Sequence, residues 1–240
     1  MHRFYCPDIA ATGILTEAES HHCVRVLRLG EGQVVEVVDG LGTLYQARIT
    51  LAHQKHTRIE ILSSERVQPH WGHSIHLAVA PTKNLDRMEW LAEKATEIGF
   101  DRFTPLRCDN SERITLKPER IEKILVAAMK QSLKATLPCL DPITPMTQFI
   151  DEPFDGQRLI AYCDPNLPRQ RRTTLAQAYR PVSNVQILIG PEGDFSPAEV
   201  EAALNAGFIP VSLGQSRLRT ETAALAALAA IHTIDQLKPQ

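Results

Sequence analysis

Two arginines stand immediately before an alanine-rich segment near the end of the 240-residue chain. The stretch reads Leu213-Gly-Gln-Ser-Arg-Leu-Arg-Thr-Glu-Thr-Ala-Ala-Leu. Thr220 is predicted to be the N-cap of a helix, with Glu221 in the first turn, where the exposed N–H groups favour a negative charge. The small side chains that follow allow close approach to another backbone. One interpretation is a chemically active loop beside a closely packed helix, and the other is an ordinary capped helix whose Arg217 and Arg219 point to solvent.

A second stretch, Val185-Gln-Ile-Leu-Ile-Gly-Pro-Glu-Gly-Asp-Phe-Ser-Pro, predicts a buried strand, a glycine turn and a new helix. Ser196 at the N-cap, Pro197 at N1 and Glu199 at N3 form a capping box. A glycine turn before a helix N-terminus can bind a ligand with backbone groups. The spacing of Gly190 and Gly193 does not match a dinucleotide-binding fingerprint, and the lysine of a P-loop is missing. The pattern therefore indicates a different ligand.

The elements around these loops indicate two domains. Residues 1–67 are predicted to form a small strand-rich domain, and 68–73 a linker. The domain begins with a short helix that starts at a Thr16/Glu19 capping box and ends at Gly30. An Asp39-Gly40 hairpin turn joins its first two strands. The predicted strands are Val34–Val38, Thr43–Thr50 and Thr57–Leu62.

Residues 74–240 are predicted to alternate strands and helices, which favours a parallel sheet with helices on its faces. Predicted strands lie at Ile75–Ala80, Phe103–Leu106, Leu159–Cys163 and Val185–Ile189, and predicted helices at Asn84–Ile98 and Pro118–Ala135. Ligands of open parallel sheets bind at the carboxyl ends of strands. The loops after Cys163, Ile189 and Leu213 are therefore expected to converge on one pocket.

Together, the Ile189-Gly-Pro-Glu-Gly-Asp-Phe-Ser and Leu213-to-Ala223 runs resemble the RsmE family of the SPOUT superfamily. A third run, Lys83-Asn-Leu-Asp-Arg-Met-Glu-Trp-Leu-Ala-Glu-Lys-Ala-Thr-Glu-Ile-Gly, is also similar to that family. The resemblance covers essentially the whole chain. It implies an α/β fold with a trefoil-knotted parallel sheet, a preceding PUA-like β-barrel and a homodimer. The implied activity is methylation of N3 of a uridine in 16S ribosomal RNA, with S-adenosylmethionine as the methyl donor.

The resemblance also implies roles for particular residues. Arg219 is the expected catalytic residue, because an arginine can stabilise the anion formed when uridine N3 loses its proton. The general base stays open between Glu192 and Glu221. The expected cofactor-binding residues are Leu188, Ile189, Gly190, Pro191, Gly193, Leu213, Gly214, Ser216, Leu218, Thr220 and Ala223.

RNA contacts are expected from three groups of residues. The PUA-like domain would contribute Arg3, Arg25 and Arg28, although exposed arginines are often only solvated. Segments that match family motifs add Lys83, Arg87, Lys130 and Gln131, and a basic run adds Arg169, Arg171 and Arg172. The chain departs from the family pattern at Lys130, where an acidic residue is common, and at Asp194, which replaces the second glycine of Gly-Gly-Phe-Ser.

Composition limits the class of protein. Hydrophobic residues make up 43% of the chain, typical of a globular protein, and the formal net charge of -2 argues against nonspecific coating of nucleic acid. The chain has no apolar run of 18 residues and no signal-peptide pattern at its start, so a cytoplasmic protein without membrane association is expected. The five cysteines are scattered and predicted to be reduced thiols. No metal is expected, because the neighbouring side chains of His21-His22-Cys23 point in different directions on a helix.

Two alternatives stay open at this point. The chain could be a related methyltransferase that modifies another RNA nucleoside, or a noncatalytic RNA-binding assembly factor with the same fold. The substrate is either naked 16S ribosomal RNA or the assembled small subunit, and the resemblance favours the subunit.

Overall fold

The computed structural model describes residues 2–163, 168 and 171–237. It divides into two compact units, Met1–His70 with Val126–Leu137, and Trp71–Leu125 with Pro138–Gln240. The first unit is therefore built from two separate pieces of the chain. The predicted bounds 1–67, 68–73 and 74–240 stay a prediction. Arg169 and the predicted turn at 164–166 lie outside the described residues.

The first unit contains a four-stranded sheet in the order β1-β2-β3-β4. β1 pairs with β2 in parallel, and the other pairs are antiparallel. Apolar side chains of the sheet and of the preceding helices form its core, with Phe4, Ile9, Val35, Val37 and Ile49 fully or almost fully buried. The elements are β1 (Arg3–Tyr5), α1 (Ile9–Thr12), α2 (Glu17–His21), a π-helical turn (His22–Val26), β2 (Val34–Val38), β3 (Thr43–Leu51) and β4 (Arg58–Arg66).

The predicted hairpin turn at Asp39-Gly40 is confirmed. The Asp39 carboxylate accepts hydrogen bonds from the backbone N–H groups of Leu41 (2.8 Å) and Thr43 (2.9 Å). Burial alone would raise the pKa of Asp39, but the hydrogen bonds from Thr43 and Leu41 lower it below its usual value. Gly40 has φ 78°, a conformation that glycine adopts without steric cost. Local turn chemistry thus sets the pairing of β2 with β3.

The second unit contains the parallel sheet that the alternating pattern predicts. Its strand order is β11-β9-β10-β5-β6-β7, and β8 also pairs with β6. These pairings are parallel. The strands are β5 (Ile75–Val79), β6 (Arg102–Arg107), β7 (Cys139–Leu140), β8 (Thr144–Pro145), β9 (Gln157–Ala161), β10 (Val185–Ile189) and β11 (Ile209–Val211).

Helices flank this sheet, which confirms the predicted α/β class. The helices are α3 (Leu85–Ile98), α4 (Pro118–Gln131), α5 (Met146–Asp151), α6 (Leu175–Ala178), α7 (Pro197–Asn205) and α8 (Thr220–Gln236). One side of the sheet packs Ala78, Leu106 and Leu188 in one apolar cluster with residues of α5 and α7. α8 contacts β5, β10 and α3. Because neighbouring strand residues face opposite sides, these helices form separate layers. The trefoil knot stays a prediction.

Two helix ends illustrate how far local signals hold. The α3 prediction is confirmed: the Asn84 side chain accepts from Asp86 N (2.9 Å), and the helix ends at Gly99. α4 stops at Gln131, so the predicted extension to Ala135 is wrong. Leu133 adopts φ 59°, and Lys134 N donates to the carbonyl oxygen of Met129 at 3.0 Å. This left-handed residue ends the helix at a position where glycine is the usual residue.

A buried polar network links three neighbouring strands of the sheet, β10, β5 and β6. His76 Nε2 lies 2.7 Å from Thr104 Oγ1, whose hydroxyl donates to Asp141, and Gln186 Nε2 lies 3.3 Å from His76 Nδ1. These partners fit a neutral ring with its proton on Nε2. Burial, followed by the charge of Arg102, lowers the pKa of His76 to about 4, although Asp141 acts in the opposite direction. The fold therefore keeps this histidine neutral.

Candidate active site

A cavity of about 210 Å³ lies where three adjacent strands of the second unit end. The strand order is β11-β9-β10, and Ala161 pairs with both Val211 and Ile189. Parallel strands in register end at the same edge of the sheet, so the loops that follow them meet there. This confirms the predicted convergence after β9, β10 and β11.

The cavity combines apolar walls, backbone groups and charges of both signs. Its apolar side chains come from the strand ends and from α8, and its charged side chains are Glu192, Asp194 and Arg217. Such a mixture suits a small ligand that has both apolar and polar parts. The lining residues are Ala161, Cys163, Ile189, Gly190, Pro191, Glu192, Asp194, Val211, Leu213, Gly214, Ser216, Arg217, Leu218, Thr220 and Ala223.

The loop 190–194, which we call the glycine loop, follows β10 and is closely packed. A Cβ added to Gly190 would lie 3.0 Å from the Phe195 ring, and one added to Gly193 would lie 3.2 Å from Asn110 Cβ. Asp194 adopts φ 64°. This explains why a glycine suits position 194, and why aspartate, one of the few residues that tolerate the left-handed region, can replace it.

The helix after the glycine loop begins as predicted. Ser196 Oγ accepts from Glu199 N (3.2 Å), and Glu199 accepts from Ser196 N (2.8 Å), which confirms the capping box. The structure adds a third partner: Asp109 N donates to Glu199 (2.8 Å), and Ser196 Oγ donates to the Asp109 carboxylate (2.7 Å). The segment between β6 and α4 is thereby fixed to the start of α7.

Glu192 is engaged by the loop between β5 and α3. Its carboxylate accepts from Lys83 N (3.1 Å), and the Arg113 guanidinium donates to Lys83 O at 2.7 and 3.1 Å. The Lys83 ammonium pairs with Glu112 at 2.8 Å, and this hydrogen bond raises the pKa of Lys83. Three loops are therefore joined at this side of the cavity.

Thr220 joins the glycine loop to α8. The prediction that Thr220 is the N-cap is wrong: Arg219 occupies the N-cap position and makes no capping bond with its side chain. Thr220 is the first helical residue, and its hydroxyl donates to Gly190 O at 3.0 Å. The hydroxyl therefore connects two parts of the cavity wall.

Most predicted cofactor residues line the cavity, and two do not. Leu188 is fully buried on the opposite face of the sheet, and Gly193 lies against Asn110. Alternation along β10 is a signal that could have excluded Leu188, because Ile189 faces the cavity. Ala161 and Val211 also line the cavity and were not among the residues predicted from the sequence.

The two arginines before α8 differ in position. Arg217 lines the cavity, whereas Arg219 is exposed and lies outside its lining. Glu221 is buried in the first turn of α8, with one oxygen 3.6 Å from Arg87 Nη1. Its other oxygen is buried and makes no hydrogen bond within the described part of the chain. Arg219 is thus the more accessible group, and Glu221 the less accessible one.

The predicted RNA-contacting residues of the first unit are in different environments. Arg3 pairs with Glu36 at 2.7 Å and is 9% exposed, and Lys130 pairs with Glu19. Arg25 is exposed and donates to Gln54 at 2.8 Å. Arg28 and Gln131 are also exposed. Arg25 and Arg28 are therefore better placed than Arg3 to meet a phosphate.

In the second unit, Lys83 and Arg171 are exposed, and Arg87 and Arg172 are half-buried. The exposed cation at Lys83 lies beside the glycine loop through its backbone bond to Glu192. Arg171 stands between β9 and α6. These positions flank the segments that form the cavity.

Comparisons with known proteins identify the family. A family model described as an RNA methyltransferase domain matches residues 69–232, and one described as an RNA methyltransferase PUA domain matches residues 15–62. Ribosomal RNA small subunit methyltransferase E of Synechocystis sp. is 34% identical, over 94% of this chain and 74% of the relative. The chain belongs to the ribosomal RNA small subunit methyltransferase E family. This confirms the predicted resemblance and the PUA-type N-terminal domain.

Solved structures of similar proteins support the family assignment. The crystal structure of a probable rRNA-methyltransferase from Porphyromonas gingivalis has a TM-score of 0.92 and 45% identity, covering 98% of this chain and 99% of that one. A ribosomal RNA small subunit methyltransferase E from Neisseria gonorrhoeae, bound to S-adenosyl methionine, has a TM-score of 0.83 and 28% identity. The match covers 97% of each chain. The similarity therefore extends over both units of this chain.

Membrane-spanning helices and metal-binding clusters are both absent from residues 2–163, 168 and 171–237. None of the helices there is both long and apolar enough to cross a membrane. The same residues contain no group of three or more His, Cys, Asp or Glu side chains arranged to hold a metal ion.

Proposed function

We propose that this protein uses S-adenosylmethionine to methylate N3 of a uridine in 16S ribosomal RNA. The observation that carries the proposal is the cavity at the ends of β9, β10 and β11. It joins the glycine loop to the arginine-containing loop before α8, the two segments that carry the family resemblance. Family membership supports the reaction class.

The cavity fits the chemistry of the cofactor. S-adenosylmethionine supplies a methyl group already activated on a sulfonium. Ile189, Leu213 and Leu218 offer apolar walls for an adenine ring, and the glycine loop offers backbone donors and acceptors. Glu192 and Asp194 suit the positive groups of the ligand, and Arg217 suits its carboxylate. Leu188 and Gly193, which were also predicted to bind the cofactor, would then pack behind the residues that line the cavity and make no contact with the cofactor.

The remaining catalytic task of the protein is to activate the uridine. N3 carries a proton, and its loss spreads negative charge onto the two neighbouring carbonyl oxygens. Arg219 is our proposed catalytic residue, because a guanidinium can donate two hydrogen bonds to a planar, delocalised anion. Its exposure directly before α8 leaves the side chain accessible to a base that enters from solvent. Stabilising charge that develops during reaction is an effective way to lower the barrier.

RNA binding is proposed for cations of both units. Arg25 and Arg28 would contact phosphates from the PUA-type unit, and Lys83, Arg171 and Arg172 from the methyltransferase unit. Four of the predicted RNA-contacting cations have carboxylate partners, so phosphate contact by any of them would compete with its pair: Arg3, Lys83, Arg87 and Lys130. We further propose that the substrate is the small ribosomal subunit and that the protein acts in the cytoplasm. A protein with this net charge needs local cationic surface to bind one folded site on such a particle.

A homodimer is also proposed, as the family resemblance implies. Trp90 of α3 is 45% exposed, and tryptophan is among the residues that are enriched at protein–protein interfaces. Ala224 is completely buried within the chain, so Ala224→Glu would test folding and not association. Trp90→Glu is the better test: light scattering at micromolar concentration should show a dimer for the natural chain and a monomer for this variant. A monomeric natural chain would contradict the proposal.

The decisive experiment is transfer of radiolabelled methyl groups from S-adenosylmethionine to small ribosomal subunits and to naked 16S RNA. Digestion to nucleosides should yield labelled 3-methyluridine, with more label from subunits than from naked RNA. Label on another nucleoside would favour the related-enzyme alternative. Cofactor binding without turnover on either substrate would favour a noncatalytic assembly factor.

A further inference from the structure

Asn110 makes an unusual pair of contacts with the glycine loop. Its side-chain Nδ2 donates to Gly193 O at 3.3 Å and to Asp194 O at 3.0 Å. These two oxygens belong to the peptide groups on either side of the Asp194 Cα. A single amide that holds both peptide groups therefore restrains the φ and ψ angles of Asp194.

Asp194 is a residue whose conformation needs such support. Its φ of 64° lies in the left-handed region, which is unfavourable for a side chain with a Cβ. Two local bonds help: Asp194 N donates to Pro191 O at 3.0 Å, and Phe195 N donates to the Asp194 carboxylate at 2.8 Å. Neither local bond uses the carbonyl oxygens of Gly193 and Asp194, so both oxygens can accept from Asn110.

The position of Asn110 is itself fixed. Cys108 N donates to Ser111 Oγ at 3.0 Å, and Ser111 N donates to Cys108 O at 3.1 Å, which closes a tight turn around Asn110. The neighbouring Asp109 is bonded to the start of α7. The missing side chain of Gly193 lets Asn110 approach, since an added Cβ would be 3.2 Å from Asn110 Cβ. A rigid turn thus presents the amide to the loop.

We propose that Asn110 is a positioning residue that holds Asp194 in its left-handed conformation and so keeps the glycine loop in the shape that binds the cofactor. The inference rests on the proposed function only in its last step, because Asp194 and Glu192 line the cavity. The hydrogen bonds from Asn110 thus stabilise, at Asp194, a backbone conformation that a glycine would adopt without such support.

The test uses Asn110→Ala, which removes both donors, and Asn110→Asp, which keeps the size but places an acceptor against two carbonyl oxygens. Hydrogen–deuterium exchange on the full-length protein without ligand is the first measurement. We expect the amides of 194 and 195 to exchange about tenfold faster in Asn110→Ala, and faster still in Asn110→Asp. Calorimetry with S-adenosylmethionine should show Kd raised about tenfold, while kcat at saturating cofactor changes little.

Thr115→Ala is the matched control, because Thr115 is an exposed polar residue of the same segment between β6 and α4 and lies outside the turn that fixes Asn110. It should leave both exchange at 194–195 and cofactor Kd within about twofold of the natural chain. Unchanged exchange in both Asn110 variants would overturn the proposal, and so would equal effects from Thr115→Ala. If the natural chain binds no S-adenosylmethionine, the proposed function fails, but exchange still decides whether Asn110 holds the loop.

Discussion

The hydrogen bond between Thr220 and Gly190 allows a sharp test of how α8 supports the cavity. Thr220→Val replaces the hydroxyl by a methyl group of similar size and leaves Gly190 O without its 3.0 Å partner. Thr220 is 5% exposed, so the valine stays packed. The substitution therefore removes one polar contact with little change in shape.

The expected magnitude follows from the burial of the two groups. Gly190 is half-buried, so water can partly replace the lost donor, and the bond should contribute about 1 kcal/mol. For a chain of this size, that loss lowers Tm by about 3 °C. If the free carbonyl also rotates away from its position in the cavity wall, Kd for S-adenosylmethionine rises about fivefold.

Thr220→Ser is the control, because it keeps the hydroxyl and removes only a buried methyl group, at a cost of about 1 kcal/mol. Thermal unfolding should therefore give similar Tm values for the two variants. Calorimetry should separate them, with weakened cofactor binding only in Thr220→Val. Equal Kd values for valine and serine variants would refute the view that this hydroxyl orients the glycine loop.

Three other predictions concern different parts of the molecule. Burial and Arg102 lower the pKa of His76 from 6.5 to about 4 in the folded chain. Between pH 6.5 and pH 4, His76 therefore binds a proton in the unfolded chain but not in the folded one. Stability should fall by up to about 3 kcal/mol as pH decreases through this window, and urea titrations should show a flatter dependence for His76→Gln. The methyl group added by Gly156→Ala would overlap the backbone carbonyl oxygen of Asn184 and should lower the free energy of unfolding by about 1–3 kcal/mol. An unchanged Tm in circular dichroism would contradict this. Arg219→Ala should lower kcat about 100-fold and raise the cofactor Kd tenfold or less, and Arg219→Lys should also have a lowered kcat. A loss of cofactor binding or stability that matches the loss of kcat would show that the arginine has a structural role instead.

Features that depend on neighbouring residues were predictable from the sequence. The Ser196 capping box and the Asp39-Gly40 turn both have partners within a few residues. Strand β10 was predicted with correct bounds because its apolar run is bordered by polar and glycine residues. Convergence of three loops also followed, since parallel strands end at one edge.

Features that depend on distant partners were not predictable in the same way. The Thr220 hydroxyl bonds to a carbonyl 30 residues earlier, which overrides its local capping preference. Thr16 accepts from Glu19 N as predicted, but the Glu19 carboxylate binds Tyr5 N and Lys130. Strand β1 is three residues long and pairs in parallel with β2, so periodicity gives it little signal. The contact of Asn110 with the glycine loop spans more than 80 residues.

The two-piece construction of the first unit has a consequence for the order of events during synthesis. Met129 and Ala135 are buried in a cluster with Val38 and Leu44, so the second piece completes an apolar surface of the first. After His70 has been added, another 67 residues must be made before Leu137 is present (137 − 70). At about 5–20 residues per second, this takes roughly 3–13 s. During that interval the nascent PUA-type unit has an exposed apolar surface, and a ribosome-bound chain halted before residue 126 should be more sensitive to protease than one halted after the second piece has emerged.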